Sequence, residues 1–261
     1  WRREGERIVR VGDDDHVAWD DPGAALTEAA ELRLDAVRLL PPVSRPGKIL
    51  CIGLNYHDHA RETGHQPPAY PAVFMRGATS LVGPGAALVR PRVSEQFDYE
   101  AELAVVIGRT ARGVSEGDAL DCVAGYSCFN DASLRDYQRK SQQWTMGKNF
   151  DATGAFGPDL VTPDELPAGA SGLRVVTRIN GEVLQDGNTA DMIFSVPRII
   201  AILAEVMTLE PGDVIITGTP AGVGTSRTPP RYLRDGDVCE VEIEGIGVLS
   251  NPVVDGPPAT G

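Results

Sequence analysis

The clearest hydrophobic pattern in the chain is an alternation of apolar and acidic positions over residues 97–107. Every odd position is apolar, whereas the even positions begin with Asp98, Glu100 and Glu102. Because successive residues of a β-strand point to opposite faces, this spacing predicts a strand with one apolar face and an acidic start to the other. Similar runs bounded by turn residues predict six further strands, at 48–53, 72–76, 122–129, 173–179, 213–217 and 237–243.

Two segments have helical rather than strand periodicity. Apolar residues recur at helical spacing over residues 196–207, with Pro197 in the first turn, which predicts the one long helix. Residues 57–63, followed by Gly64, predict a short helix. Strands outnumber helices and the connections are too short for a regular βαβ series, so the sequence predicts an α+β, β-rich fold with mixed, largely antiparallel sheets.

The chain divides at a turn-forming segment, residues 44–47. Residues 1–45 are predicted to form a small N-terminal domain, with a strand at 8–11 and a helix from Asp21 to about Ala30. Residues 46–261 are predicted to form the catalytic domain. A length of 261 residues suits one large domain with a small addition.

Composition excludes several classes of protein. The 29 glycines and 20 prolines imply many turns, which excludes an all-helical fold. The net charge of −13 repels nucleic-acid phosphates and anionic lipids, so we expect neither a nucleic-acid nor a membrane partner. The four cysteines lie in apolar runs without C-x-x-C spacing, which predicts free thiols and a cytoplasmic location.

Three carboxylates suggest a metal site. Glu100 and Glu102 stand about 6.6 Å apart along one strand face, near enough to bind one cation. Asp131 follows the strand-like run 122–129 and adds a third carboxylate. Hard oxygen ligands without a His or Cys cluster favour Mg²⁺, Mn²⁺ or Ca²⁺ over zinc. The alternative, a solvated acidic face on an edge strand, is left open by the pattern itself.

A histidine, a glutamate and a lysine are candidates for catalysis. His59 and Glu62 would share one face of the short helix, and a carboxylate that orients an imidazole is how a general base is built. Lys148 lies among aromatic and glycine neighbours, where it could hold an anionic oxygen beside a metal. Taken singly, each residue is equally consistent with an ordinary surface side chain.

Residues 214–224 combine an apolar strand with a glycine-rich turn. The exposed amides of such a turn could cradle a carboxylate, although a plain hairpin accounts for the pattern equally well. The chain has no G-x-S-x-G nucleophile motif, no phosphate-binding G-x-x-x-x-G-K-[ST] loop, no H-E-x-x-H and no dinucleotide-binding fingerprint. These absences argue against the corresponding enzyme classes.

Five ordered motifs over residues 46–254 resemble the fumarylacetoacetate hydrolase family, and are most similar to its branch of diketo-deoxy-sugar-acid hydrolases and fumarylacetoacetate hydrolase domain-containing proteins. The motifs are Asn55-Tyr56-x-x-His59-x-x-Glu62, Tyr99-Glu100-x-Glu102-Leu103, Asn130-Asp131-x-x-x-Arg135-Asp136, Gly147-Lys148-x-Phe150-Asp151 and Thr217-Gly218-Thr219-Pro220.

The resemblance implies a fold, an assembly and a metal. It implies a mixed β-sandwich roll and a homodimer. It implies Mg²⁺ or Mn²⁺ at Glu100, Glu102 and Asp131, the residues that the strand spacing already singles out. It also implies that residues 55–70 form a mobile lid.

The resemblance further implies residues that contact the substrate. Lys148 and Thr219 would face the substrate, and Arg135 and Gln138 would line its pocket. Arg76 stands where relatives commonly have lysine and would contact the substrate carboxylate. The substrate itself would be a small oxo acid.

Three functions are compatible with these residues. The leading hypothesis is a hydrolase acting on carbon–carbon bonds of 2,4-dioxo acids, acylpyruvates or diketo-deoxy sugar acids, releasing a pyruvate-type product. In that scheme His59, oriented by Glu62, deprotonates the attacking water, and the metal and Lys148 stabilise the departing enolate. The second is an oxo-acid decarboxylase or keto–enol isomerase on the same metal site. The third, a non-catalytic metal-binding protein, has no use for a base.

Overall fold

The computed structural model describes residues 2–4, 7–11 and 28–257 of the chain. Within them strands outnumber helices, as the sequence predicts. The strands are β1 (Arg2–Glu4), β2 (Arg7–Val11), β3 (Glu28–Arg33), β4 (Ile49–Gly53), β5 (Ala72–Met75), β6 (Leu81–Val82), β7 (Leu88–Arg90), β8 (Phe97–Asp98), β9 (Ala101–Ile107), β10 (Val123–Asp131), β11 (Ser133–Leu134), β12 (Gly154–Val161), β13 (Arg174–Ile179), β14 (Glu182–Asn188), β15 (Val214–Ile216), β16 (Val238–Ile243) and β17 (Gly247–Asp255). The α-helices are α1 (His57–Glu62), α2 (Arg135–Gln138), α3 (Thr145–Lys148) and α4 (Val196–Val206).

The largest sheet has seven strands in the order β5-β4-β15-β9-β10-β12-β6. Strand β9 lies in the middle and pairs antiparallel with both β10 and β15. The β15–β4 and β12–β6 pairs are parallel. The sheet is therefore mixed and mostly antiparallel, which confirms the prediction, and it places the acidic start of β9 at its centre.

A second sheet packs against the first. Its five strands have the order β14-β13-β16-β17-β7, and only the β17–β7 pair is parallel. Leu103 and Val105 of β9 belong to the same buried cluster as Val241 and Ile243 of β16. The two sheets thus bury one shared apolar layer, and the structure confirms the predicted β-sandwich architecture.

The other face of the seven-stranded sheet is buried as well. Ala104 and Val106 of β9 pack in a second apolar cluster with Phe129 and Phe156. Because β9 is covered on both faces, its apolar run is nearly continuous. The alternative of a solvated acidic edge strand is therefore excluded.

The N-terminal segment differs in part from its prediction. The strand expected at residues 8–11 lies within β2, whereas residues 21–27 of the predicted helix lie outside the described residues. The last part of the predicted helix is wrong, because residues 28–33 form the strand β3, which pairs antiparallel with β2. Pairing with a neighbouring strand overrides the helix propensity of this Ala- and Glu-rich segment. The domain division at residue 45 stays a prediction.

Two further observations concern location. In residues 2–4, 7–11 and 28–257 no helix has the length and apolar character needed to cross a membrane. All four cysteines are free and buried, and burial raises the pKa of the Cys128 thiol to about 12. The cytoplasmic location stays a prediction.

Candidate active site

One cavity of about 390 Å³ collects most of the polar side chains that the sequence singles out. It lies against the start of β9, the end of β10 and helices α1, α2 and α3. The predicted site residues that line it are His59, Glu100, Glu102, Asp131, Arg135, Gln138, Lys148 and Thr219.

Strand pairing brings the three carboxylates together. Ala101 of β9 pairs with Asn130 of β10, and the amide of Asp131 donates to the Glu100 carbonyl at 2.9 Å. One oxygen from each of Glu100, Glu102 and Asp131 lies within 4.8 Å of the others, and all three residues are buried. The structure thus brings together the three carboxylates that the sequence singles out, although Glu100 lies between β8 and β9 and not within one continuous strand.

Lys148 reaches into this cluster from the end of α3. Its Nζ donates to Asp131 Oδ2 at 2.5 Å and to Glu100 Oε2. The preceding Gly147 makes this placement possible, because a Cβ there would lie 2.5 Å from the backbone nitrogen of Gln138. Helices α2 and α3 therefore approach one another at a point where only glycine fits.

The charges of the cluster do not balance. Burial alone would raise the pKa of Glu100, but Arg135 and Lys148 lower it to about 2. Burial lowers the pKa of Lys148, yet the charges of Asp131 and Glu100 outweigh burial and raise it. The pKa of Glu102 is raised well above its usual value by burial and by the charges of Asp131 and Glu100. A further cation would relieve this excess of negative charge, and three hard oxygen donors suit a divalent ion.

Arg135 is fixed by a buried network that the sequence did not reveal. Its Nη2 donates to Glu100 Oε1 and its Nε to Asp98 Oδ2, each at 2.7 Å. The Asp98 carboxylate also accepts hydrogen bonds from the backbone amides of Gly224 and Thr225, at 2.7 and 2.9 Å. Asp98 shares the predicted acidic face of the strand, but its role is to hold an arginine and a loop.

Arg76 lies behind the carboxylates and is not among the described residues that line the cavity. Its Nη1 donates to Asp131 Oδ1 at 2.5 Å, and its other nitrogens reach Ser80 and Thr153. Gly154 leaves room for it, since a Cβ there would lie 2.9 Å from Arg76 Nη2. The geometry makes Arg76 a partner of Asp131 and does not bring it to the cavity wall, where a substrate contact was expected.

His59 and Glu62 form the pair that their i,i+3 spacing predicts. His59 Nδ1 lies 3.2 Å from Glu62 Oε2, and the imidazole is 10% exposed. Burial raises the pKa of Glu62, but the hydrogen bonds from His59 and the Gly222 amide lower it below its usual value. An ionised Glu62 fixes the proton on Nδ1 and leaves Nε2 able to exchange a proton.

The glycine-rich turn cradles carboxylates of the chain itself. The Gly218 amide donates to Glu102 Oε2 at 2.5 Å, and the Gly222 amide donates to Glu62 Oε1 at 2.9 Å. Both glycines have positive φ, at 98° and 103°, a region that other residues rarely adopt. The turn thus connects the carboxylate cluster to the histidine pair.

Several cavity residues were missed by sequence reasoning. Trp144 forms an aromatic wall, with its ring centroid 5.6 Å from that of Phe74. It lies over Gly53, where a Cβ would be 2.0 Å from the indole, so this glycine at the end of β4 was the one available signal. Arg139 and Thr225 also line the cavity, and no local pattern marks either of them.

The fold and the cavity together define a β-sandwich enzyme with a buried acidic site that could bind a divalent metal. Residues 48–254 match the family described as fumarylacetoacetate (FAA) hydrolase C-terminal. The chain therefore belongs to the fumarylacetoacetate hydrolase family, as its motifs predict.

Individual relatives narrow the chemistry. The human mitochondrial oxaloacetate tautomerase FAHD2A is 45% identical over 220 residues, which cover 84% of this chain and 70% of that protein. Oxaloacetate tautomerase YisK of Bacillus subtilis strain 168 is 43% identical over 238 residues, or 90% and 77% of the two proteins. The crystal structure of 2-hydroxyhepta-2,4-diene-1,7-dioate isomerase from Mycobacterium marinum matches with a TM-score of 0.80 and 36% identity, covering 95% of this chain and 88% of that one.

These similarities correct the leading hypothesis. The prediction of a hydrolase that cleaves carbon–carbon bonds in acylpyruvates or diketo sugar acids is wrong, because these relatives are tautomerases and an isomerase. The error has a physical cause. A base beside an enolate-stabilising site serves proton transfer at carbon as well as attack by water, so residues common to both reactions do not separate them. The second hypothesis, which included keto–enol isomerisation, fits the relatives better.

Proposed function

We propose that this protein interconverts the keto and enol forms of a small 2-oxo acid, with oxaloacetate as the first substrate to test. One observation carries the proposal: His59, which is paired with Glu62, lines the same cavity as the buried carboxylates and Lys148. A tautomerase needs one group that moves a proton and one cationic site that favours the enolate. The similarity to two oxaloacetate tautomerases, at 45% and 43% identity, supports the same reaction.

In this proposal His59 moves the proton. In the keto-to-enol direction its Nε2 accepts a proton from C3 of the substrate. The electron pair of the broken C–H bond forms the C2–C3 double bond, and the carbonyl π pair moves to the oxygen on C2. Transfer of the proton from Nε2 to that oxygen gives the enol and restores the neutral imidazole. Glu62 orients the imidazole through its contact with Nδ1.

Glu100, Glu102 and Asp131 would hold a divalent cation. We propose Mg²⁺ or Mn²⁺, with Ca²⁺ as a third candidate, since all three prefer oxygen ligands. The bound cation would supply positive charge that favours the enolate over the ketone. Lys148 adds its ammonium beside the same carboxylates. In this proposal Arg76 acts through Asp131, whose carboxylate it holds at 2.5 Å.

Neutral donors would orient the substrate. Thr219 Oγ1 accepts a hydrogen bond from Gln185 Nε2 at 2.8 Å, which leaves its own hydroxyl proton for an external acceptor. Gln138 Oε1 accepts a hydrogen bond from Arg135 Nη1 at 3.0 Å, so the side-chain amide nitrogen of Gln138 remains free to act as a donor to the substrate. Both residues line the cavity, and we propose that they bind carboxylate or oxo oxygens of the substrate.

The test separates tautomerisation from decarboxylation on one protein. The rate of enol loss is followed by ultraviolet absorbance with added Mg²⁺ or Mn²⁺, and pyruvate is measured in parallel by a coupled assay. We expect catalysed enol loss without matching pyruvate formation. His59→Ala should lower turnover by about 10²–10⁴-fold. His57→Ala on the exposed side of α1 is the matched control and should leave turnover unchanged.

Two results would count against the proposal. One is a wild-type protein that does not accelerate enol loss above the rate in buffer with metal. The other is a His59→Ala protein with the wild-type rate. Pyruvate formed as fast as enol disappears would instead identify a decarboxylase.

We also propose that the protein is a homodimer. Strand β5 lies at one edge of the seven-stranded sheet and carries the exposed apolar side chains of Val73 and Met75. An exposed apolar edge strand favours pairing with another chain. Light scattering should therefore give about twice the 27.8 kDa mass of one chain, and a Val73→Lys, Met75→Lys double variant should shift the mass toward the monomer. A wild-type mass of one chain would refute this proposal.

A further inference from the structure

Three of the described residues that line the cavity are lysine or arginine, and they differ in how their charge is balanced. Lys148 is paired with Glu100 and Asp131, and Arg135 is paired with Asp98 and Glu100. In the described part of the chain, Arg139 has no carboxylate within ion-pair distance. Its guanidinium instead donates through Nη2 to the neutral Thr225 Oγ1, at 2.8 Å.

The position of Arg139 is fixed relative to Arg135. The two residues are four apart at α2, on the same side, so Arg139 lies about 6 Å further along the helix axis. Thr225 connects them: its amide donates to Asp98, which also holds Arg135, while its hydroxyl accepts from Arg139. The buried Arg135 thus borders the carboxylate cluster, and the exposed Arg139 lies further out on the same wall.

The chemistry of Arg139 fits a carboxylate from outside the chain. A guanidinium has five N–H donors, and Thr225 accepts a bond from one of them. Among the described residues, the acidic side chains that line the cavity are Glu100, Glu102 and Asp131, which form the metal-site cluster, so no other carboxylate of that lining competes for Arg139. The remaining donors can make the paired, charge-assisted hydrogen bonds that arginine forms with carboxylates.

We propose that Arg139 binds the second carboxylate of a dicarboxylic 2-oxo acid and thereby selects dicarboxylates over monocarboxylates. The inference rests on the proposed function for one point, that the 2-oxo and first carboxylate groups lie at the carboxylate cluster. A monocarboxylic substrate would leave the guanidinium facing water. A dicarboxylic one spans the cavity from the cluster to Arg139.

The neighbouring residue supplies a matched control. Lys140 carries the same charge, but its Nζ lies 3.3 Å from the centroid of the Tyr137 ring, and Lys140 is not among the described residues lining the cavity. Arg139→Gln and Lys140→Gln therefore remove one positive charge each from adjacent positions, and only the first removes it from the cavity. Arg139→Lys keeps the charge but loses the planar pair of donors.

The experiment compares the binding of two inert 2-hydroxy acids by calorimetry, with Mg²⁺ or Mn²⁺ present. Malate has a second carboxylate, and 2-hydroxybutanoate has a methyl group in its place. We expect wild-type protein to prefer malate, and Arg139→Gln to weaken malate binding roughly tenfold to a hundredfold. The same variant should bind 2-hydroxybutanoate unchanged. Lys140→Gln should behave as wild type, and Arg139→Lys should retain part of the preference.

Three outcomes would overturn the role of Arg139: wild-type protein that does not bind malate, equal wild-type affinities for the two acids, or a preference for malate that survives in Arg139→Gln. Neither acid is turned over, so a failure of tautomerase activity leaves this comparison valid. Conversely, oxaloacetate tautomerisation with the same KM in wild type and Arg139→Gln would support the proposed function and refute this inference.

Discussion

The ammonium of Lys148 lies 2.5 Å from the carboxylate of Asp131, deep in the cavity where both side chains are buried. Glu100 accepts a second hydrogen bond from the same ammonium. Lysine therefore uses two of the three carboxylates that would hold a divalent cation. Because like charges repel at this separation, lysine and cation weaken one another's binding unless the cluster rearranges.

This competition predicts that Lys148→Gln binds Mn²⁺ or Mg²⁺ more tightly than wild type, by about tenfold or more, since removing a buried positive charge strengthens cation binding. Turnover should fall at the same time, because the ammonium no longer favours the enolate. Calorimetric metal titration checks the first part and the enol assay the second. Lys140→Gln, which removes a charge outside the cavity, should leave both unchanged. Weaker metal binding by Lys148→Gln would show instead that lysine organises the carboxylates.

Local spacing explains which parts of this site could be predicted from the sequence. Glu100 and Glu102 are two residues apart at the start of β9, with Glu100 just before the strand, and His59 and Glu62 are three apart in a helix. In both cases the period of the element fixes which side chains share a face. The predicted strands and the long helix follow from the same periodicities, and most of their ends shift by one or two residues. The single strand predicted over residues 97–107 is wrong in part, because the structure divides it into β8 and β9, which belong to different sheets.

Contacts between segments that are far apart in the chain could not be predicted from the sequence. Arg76 was expected to meet substrate, but it holds Asp131 across a separation of 55 residues. Arg139 meets Thr225 across 86 residues, and neither has a local signal. The β3 strand displaced the end of a predicted helix because pairing with β2 is a tertiary effect. The type of reaction was predicted wrongly for another reason. The residues singled out here can serve both hydrolysis and tautomerisation, so they do not distinguish the two reactions.

The close approach of α2 and α3 predicts a strong effect of Gly147→Ala. The new Cβ would lie 2.5–2.6 Å from the backbone nitrogen and Cα of Gln138, and backbone cannot rotate away as a side chain can. We expect a loss of about 1–3 kcal/mol in the free energy of unfolding. Turnover should also fall, because Lys148 follows directly.

Gly117→Ala is the control for that substitution. Its Cβ would have its nearest neighbour, Ser115 Oγ, at an ordinary 3.6 Å. Chemical denaturation and the enol assay should show little change for this variant. A Gly147→Ala protein with wild-type stability and turnover would mean that the two helices can move apart without cost.

The last prediction concerns Asp237, which ends the turn before β16. Its Oδ1 accepts hydrogen bonds from Arg231 and Asn180, and its Oδ2 accepts the Arg234 amide, each at 2.8 Å. Burial raises the pKa of Asp237, but Arg231 and these other donors outweigh burial and lower it below its usual value. A carboxyl with a lowered pKa in the folded state stabilises the protein above its unfolded pKa, and that stability is lost as the pH falls through the folded pKa.

Asp237→Asn should therefore lower the free energy of unfolding at pH 7 by about 1–3 kcal/mol, since it removes hydrogen bonds to a charged acceptor. The difference from wild type should begin to shrink as the pH falls below about 4, where the carboxyl becomes protonated in the unfolded chain, and should disappear as the pH falls through the lower pKa of the folded state. Urea denaturation of both proteins between pH 3 and pH 7 measures the difference. Asp235→Asn, an exposed substitution two residues earlier, is the matched control and should stay close to wild type. A stability difference that is equal at every pH would show that the side chain acts by packing and that its charge contributes nothing.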